Sequence, residues 1–165
     1  MRILGVDPGS IVTGYGVIDS GRGQLSIIEQ GEVRTRRGEQ FPERLRRIYE
    51  ELTGVIARTS PDAMAVESPF AGLNPKSLIQ LAHARGVILL AACNAGLEVF
   101  EYSPRSVKSA VVGYGGAEKS QVGSMVQLLV RGARELKMSV DAADALAVAI
   151  CHAHSVRPAG RIRLQ

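Results

Sequence analysis

Apolar residues along this chain change period several times, and each change marks an element. Residues 3–7 form a short apolar run stopped by Pro8-Gly9, which predicts a buried strand followed by a turn. Residues 11–19 and 25–34 follow, separated by Ser20-Gly21-Arg22-Gly23, so three strands are expected in an antiparallel meander. The period then becomes helical. Leu45, Ile48, Tyr49, Leu52, Val55 and Ile56 share one stripe, with Arg44, Arg46 and Arg47 off it. Residues 63–67, ending at Ser68-Pro69, predict a fourth strand. Leu78, Leu81, Ala82, Ile88, Leu89 and Ala92 mark a second, largely buried helix, and residues 97–102 a fifth strand. Ser103-Pro104 opens a short helix to about residue 112. Gly113-Tyr114-Gly115-Gly116 breaks it, and helices are predicted over about 118–131 and 140–154. The order βββ-α-β-α-β-ααα implies an α/β fold with one mixed five-stranded sheet flanked by helices.

At 165 residues the chain suits one domain, here residues 1–155, followed by a basic tail over 156–165 that is expected to be mobile. There are 20 Lys and Arg against 16 Asp and Glu, a formal charge of +4, which is compatible with a polyanionic partner without requiring one. Cys93 and Cys151 lie in apolar helical stretches without CxxC spacing and read as buried, reduced thiols. No targeting segment is expected, because the sequence opens directly on a strand-like run, and the most apolar stretch, residues 87–93, is too short to span a bilayer. A cytoplasmic protein without membrane contact is expected.

The acids carry the chemistry. Asp7 ends the first strand, Glu67 ends the fourth, and Asp141 and Asp144 sit three residues apart at the start of the last helix, where an i, i+3 pair shares one face. Taken singly, each has a plain structural reading: a turn residue, a solvated loop acid, two acids favoured by a helix dipole. Brought together, four carboxylates would repel and raise one another's pKa unless cations neutralised them. Hard oxygen donors favour Mg²⁺ or Mn²⁺ over zinc, and two such ions suit in-line hydrolysis of a phosphodiester. With four of the 16 acids neutralised, 20 bases would dominate the surface shown to DNA.

These residues stand in a recognisable pattern. Ile3-Leu4-Gly5-Val6-Asp7-Pro8-Gly9 with Thr13-Gly14-Tyr15-Gly16 resembles the opening of the RuvC family of Holliday-junction resolvases. Ala65-Val66-Glu67 with Phe70, the glycine-rich run from Val112 through Lys119 to Val122, and Asp141-Ala142-Ala143-Asp144-Ala145-Leu146-Ala147 resemble its later motifs, in the family's order along nearly the whole chain. The resemblance implies a ribonuclease-H-like fold, a homodimer and symmetric nicking of four-way DNA junctions with Mg²⁺, leaving 5′-phosphate and 3′-hydroxyl ends. It places Asp7, Glu67, Asp141 and Asp144 on the family's metal-binding acids and Lys108 and Lys119 on basic residues used in junction binding and catalysis. It also places Phe70 on an aromatic that stacks on a base, and suggests a branch-migration helicase complex as partner.

Two other functions fit the same residues: a related nuclease acting on RNA–DNA hybrids, and a junction-binding module without catalysis. The complete acid quartet argues against the second. A phosphate-binding P-loop at residues 113–120 is excluded because Glu118 stands where that motif needs glycine. His152 and His154, two apart on a helix, are not expected to share a metal.

Overall fold

The computed structural model describes residues 1–21, 23–36, 38–69 and 74–156. Strands β1 (Arg2–Asp7), β2 (Val12–Gly21) and β3 (Gln24–Arg34) form the expected antiparallel meander. Helix α1 (Phe41–Thr59) leads to β4 (Ala63–Glu67), and α2 (Pro75–Asn94) to β5 (Glu98–Tyr102); both strands run parallel to β1. Helices α3 (Pro104–Val112), α4 (Lys119–Leu129) and α5 (Val140–Ser155) complete the order.

The sheet has six strands among the described residues, not five, in the order β5-β4-β1-β2-β3-β6. The added strand is β6, Val130–Arg131, parallel to Leu25 and Ser26 of β3. The helix expected to reach residue 131 therefore ends at Leu129. Two residues are too few for a period-2 signal, and their pairing depends on a partner about a hundred positions earlier.

Alternation along the central strands sorts two cores. Ile3, Ile18, Leu25 and Ala65 face α3, α4 and α5. Leu4, Val6, Val17, Val33, Met64 and Val66 face α1 and α2. Strands covered on both faces read as continuous apolar runs, which is why β1 and β4 show no polar alternation in sequence.

Helix α5 is buried from Ala145 through Ala153. It lies against the sheet because glycines face it: a Cβ on Gly5 would collide with the Ala145 carbonyl, and one on Gly14 with that of Asp141. The small residues of α5 and these two glycines thus let helix backbone meet sheet backbone.

Three sequence expectations need adjusting. Cys93 is exposed, while Cys151 is buried with its thiol pushed up to about 11 by desolvation. Helix α2 buries Ala84, Ile88, Ala91 and Ala92 but leaves Leu78, Ile79 and Leu90 exposed, so it is less buried than its composition suggests. By length and composition alone α2 is also apolar enough to cross a membrane, because Pro75 to Val87 extends the short run judged from sequence. The tail beyond Val156 lies outside the described residues.

Candidate active site

Strand alternation decides where the first two acids point. In β1, Ile3 and Gly5 face α5, so Asp7 follows on that face; in β4, Ala65 faces α5, so Glu67 does too. Parallel pairing runs from Ile3 with Ala63 to Val6 with Val66, and Asp7 and Glu67 are the next residues of each strand. They therefore end adjacent strands at the carboxyl edge of the sheet, a usual place for function in α/β folds.

The other two acids arrive with α5. Its N-cap Ser139 accepts a hydrogen bond from Ala142 N at 3.2 Å, starting the helix at Val140. Gly14 is paired with Asp7 and touches the Asp141 carbonyl, so the first turn of α5 lies over the end of β1. Asp141 and Asp144 are delivered to the same edge by this close approach.

The electrostatics record the convergence. The Asp7 carboxyl is pushed up to about 7, first by burial, then by the charges of Glu67 and Asp144, with Asp141 adding to them and Lys119 opposing. Burial and Asp144 also raise Glu67, while Lys119 and Lys108 lower it. Asp7 and Glu67 thus both feel the charges of Asp144 and Lys119.

Lys119 is the first residue of α4, and its Nζ donates to Asp144 Oδ2 at 2.6 Å. That hydrogen bond holds the Lys119 ammonium above its ordinary range. The glycine-rich loop before it is organised by Gln121, whose Oε1 accepts from Glu118 N and from the Tyr114 hydroxyl, both at 2.9 Å. Lys108 lies beside buried Val107 and lines a cavity of about 530 Å³ together with Glu67, Arg105, Lys119 and Asp144. A second cavity of about 210 Å³ reaches Asp7 and Glu67 from the α2 side.

The structure thus brings Asp7, Glu67, Asp141, Asp144, Lys108 and Lys119 to one edge, whereas Phe70 lies outside the described residues. The four acids offer only hard carboxylate oxygens, which suits Mg²⁺ or Mn²⁺ by donor chemistry. The quartet is not drawn into a closed shell, however. Among the described residues no three His, Cys, Asp or Glu side chains are gathered closely enough to hold an ion as they stand. The Lys119 ammonium already takes Asp144.

Two features of this edge escaped the sequence reading. His152 is buried, its Nδ1 hydrogen-bonded at 2.8 Å to the Tyr102 hydroxyl and its ring stacked against Phe100 at 4.3 Å; Tyr102 pairs with Glu67 across β4 and β5. Arg85, which lines the smaller cavity, falls on the buried stripe of α2 between Leu81 and Ile88. A charge on an apolar stripe was the available signal.

Comparison with known proteins gives a consistent result. The family model described as crossover junction endodeoxyribonuclease RuvC matches residues 3–152. A protein of that name from Syntrophomonas wolfei is 50% identical over 157 residues, covering 95% of this chain and 91% of the relative. Its namesake from Geobacter metallireducens is 49% identical over 155 residues, covering 94% and 93%. Among solved structures, T. thermophilus RuvC in complex with a Holliday junction substrate superposes with a TM-score of 0.84 at 34% identity, covering 93% of each chain. The yeast mitochondrial Holliday junction resolvase shares the fold, with a TM-score of 0.67 at 14% identity, covering 92% of this chain and 77% of the resolvase.

Proposed function

This chain belongs to the RuvC family of crossover junction endodeoxyribonucleases, and from that premise we propose how its acidic edge cuts DNA. The protein is a Holliday-junction resolvase with a ribonuclease-H-like fold. The observation that carries the site assignment is the meeting of Asp7 and Glu67, at adjacent strand ends, with the first turn of α5.

Asp7, Glu67, Asp141 and Asp144 would hold divalent cations, Mg²⁺ or Mn²⁺ and two per site. When bound, such ions supply the positive charge that eases deprotonation of an attacking water and stabilises the leaving 3′ oxygen. Burial at the sheet edge keeps Asp7 and Glu67 poorly solvated, so their attraction for a cation is stronger than that of surface acids. Lys119 offsets part of the acids' mutual repulsion, and is free to meet a phosphate once cations replace it at Asp144. Lys108 presents a second cation to the same cavity, and we assign Phe70 to stacking on a base near the crossover.

A two-fold junction must be cut twice, which a symmetric dimer accomplishes. The face of α2 formed by Ile79, Ala82, Gly86 and Leu90 is exposed, apolar and at helical spacing, and supports a homodimer built on that helix. A branch-migration helicase complex is a further proposed partner, and a reducing cytoplasm the proposed location.

The test is a nicking assay on an immobile four-way junction, a linear duplex and an RNA–DNA hybrid, with Mg²⁺ or EDTA. Paired symmetric nicks confined to the junction and dependent on Mg²⁺ are expected. Cleavage of the hybrid alone would overturn the substrate, and tight junction binding without nicking would overturn the catalytic reading.

A further inference from the structure

Arg85 has an unusual environment. Its side chain is 13% exposed, on the inner side of α2, and Nη2 lies 2.6 Å from Oε1 of Glu101, whose own side chain is 51% exposed. That contact is out of line for a hydrogen bond: both Nε and Nη2 are buried without an aligned acceptor among the described residues. A guanidinium carries its hydrogens in a fixed planar fork, so one half-solvated carboxylate cannot satisfy it from an oblique angle. Buried donors left in this state are rare and signal a ligand or a missing partner.

The surroundings point to the ligand. Arg85 lines the cavity of about 210 Å³ together with Asp7, Pro8, Glu67, Ser68 and Pro69. The cavity therefore brings the Arg85 side chain and the two strand-end acids to one space. Its volume is several times the roughly 30 Å³ share of one water molecule. A DNA strand lying across Asp7 and Glu67 would carry negatively charged oxygens past this opening, and planar forks with two donors suit phosphate.

We propose that Arg85 is a phosphate-binding residue of the cleavage site, its guanidinium donating to an oxygen of a phosphodiester beside the one that is cut. Glu101 meets the fork at one nitrogen only and takes no part in holding the phosphate. The proposal rests on Asp7 and Glu67 marking the cleavage site, a reading that wild-type nicking with Mg²⁺ tests by itself. Binding measured in EDTA tests Arg85 separately.

Arg85→Gln is expected to weaken junction binding at least about tenfold, and to lower the salt dependence of log K by about one, as for one lost phosphate contact. Glu101→Gln removes the same ion pair but spares the guanidinium, and is expected to bind as tightly as the wild type. Replacing single phosphates near the cut by neutral methylphosphonates should reveal one position that matters to the wild type and no longer matters to Arg85→Gln. Equal losses of binding in Arg85→Gln and Glu101→Gln would reduce the pair to a structural contact and overturn the proposal. So would wild-type affinity in a folded Arg85→Gln variant, since the cavity would then hold only water. If Arg85→Gln does not fold, Arg85→Lys replaces it, keeping the charge without the fork. A methylphosphonate effect at full strength in that variant would equally overturn the assignment.

Discussion

Asp7→Asn should abolish nicking yet make the metal-free protein more stable, and the size of the gain follows from the site. Burial and its acidic neighbours push the Asp7 carboxyl from its ordinary value of 3.8 up to about 7. The sign is opposite to that of a salt-bridged acid. The unfolded chain releases this proton near the ordinary value, while the folded chain holds it to about 7. Between those limits the folded state binds one more proton, so stability falls as pH rises, and the loss is complete above the upper limit. Each unit corresponds to about 1.4 kcal/mol, so the span of about three units sets a ceiling near 4 kcal/mol. Asparagine has nearly the same shape and no charge to bury. The variant should match the wild type below pH 4 and exceed it by up to about 4 kcal/mol at pH 8. Urea unfolding in EDTA, at one fixed protein concentration, measures this directly. Added Mg²⁺ should narrow the gap, because cations that bind only the folded wild type stabilise it by mass action. A variant less stable than wild type at pH 8, or a gain that does not change with pH, would refute the reasoning.

Other residues give sharper tests of how the site is held. Gly14→Ala drives a methyl group into the Asp141 carbonyl; a loss of about 1–3 kcal/mol, seen as a lower urea midpoint, should accompany a large fall in nicking. Lys119 lowers both Asp7 and Glu67, so Lys119→Gln should raise both acids and move the rise of nicking to higher pH. The Mg²⁺ requirement, titrated at pH 6.5 and 8.5, should worsen more at the lower pH. Leu90→Glu places a charge on the exposed face of α2, and light scattering should then report monomers, with paired nicking reduced and the fold retained.

Much of this protein was legible before any coordinates. Buried runs at residues 3–7 and 63–67, the helical stripe of α1 and the Ser-Pro start of α3 are local signals, set by alternation, period and capping. They placed Asp7 and Glu67 at strand ends and Asp141 and Asp144 on one helical face. The motif order was specific enough to name a family. Other features depend on chain segments far apart in sequence. Strand β6 exists only because Val130 and Arg131 meet Leu25 and Ser26. The glycines at 5 and 14 read as strand residues, and only the packed helix explains why no side chain fits there. The ion pair of Lys119 with Asp144, the exposure of Cys93 and the buried, unsatisfied donors of Arg85 likewise emerge from packing. Periodicity tells which face of an element is buried. What meets that face, and how closely, is decided when the elements pack, and that closeness sets the charge and hydrogen-bonding state of the acids at the sheet edge.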